Sequence, residues 1–374
     1  MNTGVYLNNA ATSWPKPQCV AQAVAQAVSA RPGSANRGGI DDFDVFAAVR
    51  GELALLMGAN DADKIALGAN ATWGLNLAVQ GFNLEPGDTV VTSAAEHNSV
   101  LRPLHKLAGR GVRTAYVPTD RYGRIDPAAW REAVEKLRPR LCVFTHASNV
   151  TGAVNDARYL ASCAKDAGAA VLLDASQTLG CVAVRCADWG IDMLAFTGHK
   201  YLLGPQGTGG LYVSDKIRLS PLLCGGTGIK SDLDEMPPEM PIHLEAGTGN
   251  EPSFYGLYAA LRWSRENPAD PGRTEELTRI LAEGLMSAGA DVISPPGERT
   301  PVVSFTVPGK TADDAGYILS ECCDITCRSG LHCAPKIFAH LGVPATVRFS
   351  LSRFTSMEDV REAVAAVRDI VGGN

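Results

Sequence analysis

Between about residues 60 and 215, short apolar runs alternate with stretches whose apolar positions recur at helical spacing. Thr89–Thr92, Thr114–Val117, Leu141–Phe144, Val171–Leu173 and Met193–Phe196 read as strands. Segments near 98–109, 127–137 and 156–168 read as the helices between them. Runs that are apolar throughout suit strands covered on both faces, so the pattern predicts an α/β fold with a mainly parallel sheet. Beyond residue 250 the texture changes to α+β. Helices are expected over Pro252–Arg265, Glu275–Ser287, Ala312–Cys322 and Glu358–Val371, with strands over Pro301–Val307 and Val347–Leu351. The expected organisation is a large domain over 15–250 and a smaller domain made of 1–14 and 251–374, with the Pro252 helix at the boundary.

Ligands of parallel sheets bind where strands end at their carboxyl ends. Asn149, Asp174 and Lys200 each follow such an end and can meet in one crevice. One strand closes on Leu172-Leu173-Asp174, and another leads into Thr197-Gly198-His199-Lys200. A carboxylate and an amine so placed suit pyridoxal phosphate, which needs an amine to hold its aldehyde and an acid to keep its pyridine nitrogen protonated. Asn70-Ala71-Thr72-Trp73-Gly74 opens an apolar helix through Leu75–Val79, and a helix N-terminus offers free N–H groups to a phosphate. Thr197 and His199 could add donors to that phosphate. His97 could stack its ring on a flat cofactor, and Asn149 and Gln177 could bond its phenolic oxygen.

The 374 residues are 45% hydrophobic and 20% charged, as in ordinary soluble globular proteins. A net charge of −6 without a basic cluster gives no reason to expect a nucleic-acid partner. No apolar run reaches membrane-spanning length and no leader is readable at Met1–Leu7, so a cytoplasmic location without membrane contact is expected. The ten cysteines are scattered. Cys142 and Cys163 read as small buried apolar residues, and the loose group Cys322, Cys323 and Cys327 lacks a second pair at zinc spacing, so no metal is expected.

Five segments carry a resemblance. Asn9-Ala10-Ala11-Thr12, Ala95-Glu96-His97-Asn98-Ser99, His146-Ala147-Ser148-Asn149-Val150-Thr151-Gly152, Asp174-Ala175-Ser176-Gln177 and Thr197-Gly198-His199-Lys200 stand in the order seen in cysteine desulfurases. These belong to the class V aminotransferase family with the fold-type-I pyridoxal-phosphate architecture, and the resemblance runs from about residue 6 to 370. It implies that Lys200 attaches the cofactor, Asp174 pairs with its pyridine nitrogen, and His97 stacks on the ring. It places Asn149 and Gln177 at the phenolic oxygen, and Ala71, Thr72, Thr197 and His199 at the phosphate. Glu245-Ala246-Gly247-Thr248-Gly249-Asn250 resembles the element that crosses a homodimer interface, which would bring Thr248 to the partner subunit's phosphate. Composition alone reads that segment as a turn before a helix.

Arg328-Ser329-Gly330-Leu331-His332-Cys333-Ala334-Pro335 bears on the reaction. A cysteine beside a histidine and near an arginine is a candidate thiolate, because positive neighbours favour the ionised nucleophile. The loop resembles the short active-site loop of group II cysteine desulfurases, selenocysteine lyases and cysteine sulfinate desulfinases. It departs from them at Leu331, where a histidine is usual, which leaves nearby proton transfers open. In Val347-Arg348-Phe349-Ser350-Leu351 the arginine suits a substrate carboxylate; Arg353 is the alternative, and the family match favours Arg348. The resulting expectation is a homodimeric cysteine desulfurase that converts L-cysteine to L-alanine and passes the sulfur, as a Cys333 persulfide, to an acceptor protein. The rivals are a selenocysteine lyase or sulfinate desulfinase, a true class V aminotransferase, and a silent fold kept for docking a sulfur carrier.

Overall fold

The computed structural model describes residues 4–31 and 43–373. Along the chain these form β1 (Val5–Tyr6), α1 (Gln18–Ser29), α2 (Val45–Met57), β2 (Ile65–Gly68), α3 (Ala71–Gly81), β3 (Thr89–Ser93), α4 (Asn98–Ala108) and β4 (Arg113–Val117). The alternation continues through α5 (Pro127–Leu137), β5 (Leu141–Thr145), α6 (Ala157–Asp166), β6 (Ala170–Asp174), α7 (Cys186–Trp189), β7 (Met193–Thr197) and β8 (Gly209–Val213). Next come α8 (Glu251–Glu266), α9 (Pro271–Ser287), β9 (Asp291–Val292), β10 (Val302–Thr306), α10 (Ala312–Glu321) and β11 (Ile325–Thr326). The chain closes with β12 (Arg328–Gly330), α11 (Phe338–Leu341), β13 (Thr346–Ser350) and α12 (Met357–Gly372).

Seven strands pair in the order β2-β8-β7-β6-β5-β3-β4. From β4 to β7 every neighbour is parallel, while β8 runs against both β7 and β2. This is the mainly parallel α/β sheet that the apolar runs predict. β3, β5, β6, β7 and β8 are buried at every position, because helices cover both faces. One face packs Val49, Leu53, Trp130, Leu160 and Phe254 against the sheet, and the other packs Leu75, Leu77, Val100 and Leu104.

β2 and β8 are not among the strands the pattern predicts. Gly209 and Gly210 mask β8, and the structure shows why glycine stands there. A Cβ on Gly209 would lie 2.6 Å from the Asn70 Cα, and one on Gly210 would lie 2.4 Å from the Ala66 carbonyl oxygen. α9 also begins earlier than expected, at Pro271, where Asp270 accepts a hydrogen bond from the Arg273 N–H (3.2 Å).

A second sheet, antiparallel in the order β12-β13-β10-β9, packs Val303, Phe305, Val347 and Phe349 with α9, α10 and α12. The N-terminal residues belong beside it: β1 pairs with β11, and Asn8 bridges to Ser350. α8 instead buries Phe254, Leu257 and Leu261 in the core of the first sheet. A small cluster of Ala95, Val150, Ala334, Ile337 and Phe338 joins loops of the first sheet to the segment after Cys333.

Candidate active site

The loop after β7 carries Lys200. Gly198 lets this loop pass β8, since a Cβ there would fall 2.1 Å from Thr208 Oγ1. The His199 carbonyl is held by the Ser13 N–H (2.9 Å), the Ser13 hydroxyl (3.1 Å) and the Lys16 amine (3.3 Å). The loop is thereby tied to the N-terminal segment that also reaches β13. Burial lowers the Lys200 amine to about 8; Asp174 opposes that shift, while Arg348 and Arg328 add to it. An amine near 8 keeps a far larger neutral fraction at physiological pH than a solvated lysine, and that fraction can act as nucleophile or base.

Asp174 ends β6 and is buried; the Ser176 N–H donates to its Oδ1 at 2.9 Å. His97 precedes α4 and caps it, its Nδ1 accepting from the Ser99 N–H (3.1 Å). The Ser99 hydroxyl also meets Thr72 Oγ1 at 2.7 Å, which links the His97 ring to the start of α3. Burial lowers His97 to about 4, with the Asp174 charge opposing and Lys200 adding, so the ring is neutral near pH 7. Beneath this group, Glu96 is wholly buried and takes hydrogen bonds from the Ser93 hydroxyl and the Thr145 N–H (3.0 Å). Burial raises its carboxyl to about 8, which makes Glu96 a neutral tie between β3 and β5.

The Cys333 loop comes from the other side. His332 and Cys333 both take positive φ, 48° and 58°. The Cys333 carbonyl accepts from the Asn98 N–H (2.7 Å), and the His332 carbonyl from Asn149 Nδ2 (2.7 Å). Arg328 Nη2 donates to Cys333 Sγ at 3.1 Å. The histidine is not the cation that the sequence pattern suggests for this thiol. His332 Nε2 is engaged with the Thr346 hydroxyl at 2.9 Å, and burial lowers the ring to about 2, so it is neutral. Arg328 supplies the positive charge. Its place directly across from Arg348 in the β12–β13 pair is a tertiary fact that the linear spacing does not reveal.

Arg348 is fully buried in β13. Nη1 donates to the Asn149 carbonyl (2.7 Å), and Nη2 reaches Asn8 Oδ1 only at 3.4 Å. Nε is buried without a partner, which leaves one edge of the guanidinium with an unused donor of the kind a carboxylate takes. Arg353 lies apart, half-buried over the Trp263 ring at 4.7 Å.

Residues 5–362 match the family described as aminotransferase class-V. The chain belongs to the class-V aminotransferase family. Among class-V relatives, a probable cysteine desulfurase of Methanothermobacter thermautotrophicus is 32% identical, the match covering 83% of this chain and 80% of that one. The apo structure of a cysteine desulfurase from Thermococcus onnurineus superposes with a TM-score of 0.90 at 29% identity, over 100% of this chain and 96% of that chain. An Escherichia coli cysteine desulfurase structure gives 0.85 at 29% identity, over 99% and 95%.

Class-V membership implies pyridoxal phosphate, and the residues present fit that group. Thr197 Oγ1, Gln177 Oε1 and His199 Nδ1 are buried without partners beside Lys200 and Asp174, and the first N–H groups of α3, at Ala71 and Thr72, have no acceptor within the helix. Gln177 Nε2 donates to the Ala10 carbonyl (3.1 Å) and Asn149 Nδ2 to the Cys333 loop. Each amide nitrogen keeps a second hydrogen for a ligand oxygen. Thr248 is exposed, on the loop before α8. Cys322 is exposed, Cys323 half-buried, and burial pushes the Cys327 thiol up to about 12. Among the described residues, no helix is long and apolar enough to cross a membrane, and no group of three His, Cys, Asp or Glu could hold a metal.

Proposed function

We propose that this chain is a pyridoxal-phosphate-dependent cysteine desulfurase that converts L-cysteine to L-alanine and accepts the sulfur on Cys333. The observation that carries the proposal is the Cys333 thiol beside Arg328, within electrostatic reach of both Lys200 and Arg348. The names of its relatives support it. Lys200 would hold the cofactor's aldehyde carbon, Asp174 would face its pyridine nitrogen, and His97 its ring. Asn149 and Gln177 would serve the phenolic oxygen. Ala71, Thr72, Thr197 and His199 would hold the phosphate, with the partner's Thr248 completing it in a homodimer. When bound, the cofactor supplies an electron sink for the pair left as the substrate's Cα–H bond breaks.

The chain's own residues do the rest. The unpartnered Nε edge of Arg348, next to Asn149, binds and orients the substrate carboxylate. The neutral Lys200 amine takes the Cα proton and returns a proton on the far side of the reaction. Arg328 holds the Cys333 sulfur through its Nη2 (3.1 Å), and the Cys333 thiolate attacks the substrate sulfur. A sulfur–sulfur bond forms, the carbon–sulfur bond breaks, and the electron pair passes to the carbon that becomes the methyl group of alanine after protonation. A thiol on an acceptor protein then removes the outer sulfur. A cytoplasmic setting, with its thiol carriers, and a division into domains after α8, which packs on the first sheet, complete the proposal.

Brief exposure to L-cysteine should add one sulfur to the Cys333 peptide, seen by mass spectrometry, with alanine released. Cys333→Ala should bind cysteine and release almost no alanine. Alanine formed by the variant at the unsubstituted rate, or sulfur mapped to Cys322, Cys323 or Cys327, rules the proposal out. L-selenocysteine and L-cysteine sulfinate, run side by side, test the rival activities.

A further inference from the structure

The loop from Glu245 to Asn250 is exposed at Gly247, Thr248 and Gly249, yet both its ends are fastened to one helix. Arg50 and Phe46 lie four positions apart on α2 and so share a face. Arg50 Nη2 donates to both carboxylate oxygens of Glu245 at 2.7 Å. The Phe46 ring packs at the other end, where a Cβ on Gly249 would meet it at 2.7 Å. The same ion pair also completes the free edge of the large sheet. β2 is an edge strand; its Leu67 N–H donates to Glu245 Oε1 (2.6 Å), and its Ile65 carbonyl accepts from Arg50 Nε (3.0 Å). Carboxylate and guanidinium thus occupy the donor and acceptor positions that a further strand would fill. Arg50 is buried, and the hydrogen bonds of the pair to each other and to the backbone of β2 offset its desolvation. β2 leads through Gly68 to Asn70 and the start of α3, so the loop and the phosphate-side helix are set by one piece of structure.

Building on the composite site proposed above, we infer that the Arg50–Glu245 pair is a positioning device that holds Thr248 outward for the phosphate site of a second copy of this chain. The pair acts on the partner's site, not on its own. Glu245→Gln keeps an acceptor for the Leu67 N–H but removes the charge that fixes Arg50.

The test uses heterodimers in which one chain carries Lys200→Ala, so that only one cofactor site per dimer can be trapped covalently. In the first arrangement Glu245→Gln lies on the chain that keeps Lys200. In the second it lies on the Lys200→Ala chain. Both dimers contain the same substitutions, so a general loss of stability affects them equally. Each cofactor-free dimer is titrated with pyridoxal phosphate and treated with borohydride, and the adduct on the Lys200 peptide is counted by mass spectrometry. The half-saturating concentration should rise about tenfold in the second arrangement and stay unchanged in the first. Equal values, or a rise confined to the first arrangement, overturn the inference. Arg50→Lys in the same two arrangements gives an independent version should Glu245→Gln chains fail to assemble. Thr248→Ala is run in parallel. If it shows no effect from the partner chain, or the protein sediments as a monomer, the composite site is wrong. If Thr248→Ala acts from the partner chain and the Glu245 and Arg50 variants do not, only the positioning role falls.

Discussion

Lys200 illustrates how a residue acquires chemistry from its surroundings. A solvated lysine holds its proton up to about 10.4; here burial brings the amine to about 8, and Asp174 keeps it from falling further. Attachment of pyridoxal phosphate needs the neutral amine. Its rate at Lys200 should therefore rise about tenfold per pH unit below 8 and level off above, read as borohydride-trapped adduct. Asp174→Asn removes a negative charge that favours the ammonium, so the inflection should move to lower pH. An adduct on another lysine, or an inflection that moves up, contradicts the assignment. Lys200, Asp174 and Cys333 are legible in the linear sequence, because each sits in a short motif beside strand-end or loop signals. Arg328 as the partner of the thiol is less so, since the contact depends on how β12 folds back. The neutrality of His332 is illegible for the same reason: nothing in Leu331-His332-Cys333 says that the ring faces Thr346.

At the level of elements, Glu96 shows a cost carried inside the scaffold. It joins the ends of β3 and β5, with one carboxyl oxygen bonded to Ser93 and Thr145 and the other without a partner. Its folded-state carboxyl titrates near 8, against 4.5 for the ordinary group. Between those values the folded chain holds a proton that the unfolded chain has released. This group's contribution to stability is therefore full below 4.5 and lost as pH rises through 8. Glu96→Gln keeps the shape and abolishes the titration. The difference in melting temperature between variant and unsubstituted protein should grow in favour of the variant from pH 5 to pH 8.5. A difference that is flat across that range would show that Glu96 is ionised in place. The helices and buried strands that frame this tie follow from local patterning, but β2 and β8 do not. The β8 glycines, Gly209 and Gly210, are demanded by backbone contacts with Asn70 and with Ala66 of β2, far away in the chain.

On the scale of the whole molecule, the candidate site exists only where two sheets meet. Lys200, Asp174 and His97 come from strand ends of the seven-stranded sheet, while Arg348 and Arg328 come from paired strands of the four-stranded one. Arg348 spans the gap through the Asn149 carbonyl. Arg348→Lys retains a charge but loses the planar fork. It should raise KM for L-cysteine by roughly 10- to 100-fold, the scale of one charged hydrogen bond of about 1.5–3 kcal/mol. Cofactor attachment at Lys200 should persist. An unchanged KM would move the carboxylate site to Arg353 or elsewhere.

The sequence by itself determined the α/β alternation, the change of texture beyond residue 250, and the residues able to carry cofactor and sulfur chemistry. These are local properties: apolar periodicity decides which segments bury a face, and side-chain type decides which atoms can donate, accept or attack. Tertiary structure alone decided which of them act on one another. It set Arg328 rather than His332 at the thiol and left Arg348 Nε without a partner. It also placed α8 against the first sheet and clasped the Thr248 loop to α2 through Arg50 and Glu245. Each of these depends on contacts between segments far apart in the chain, where packing and the need to satisfy buried polar groups select one arrangement that no short stretch of sequence encodes.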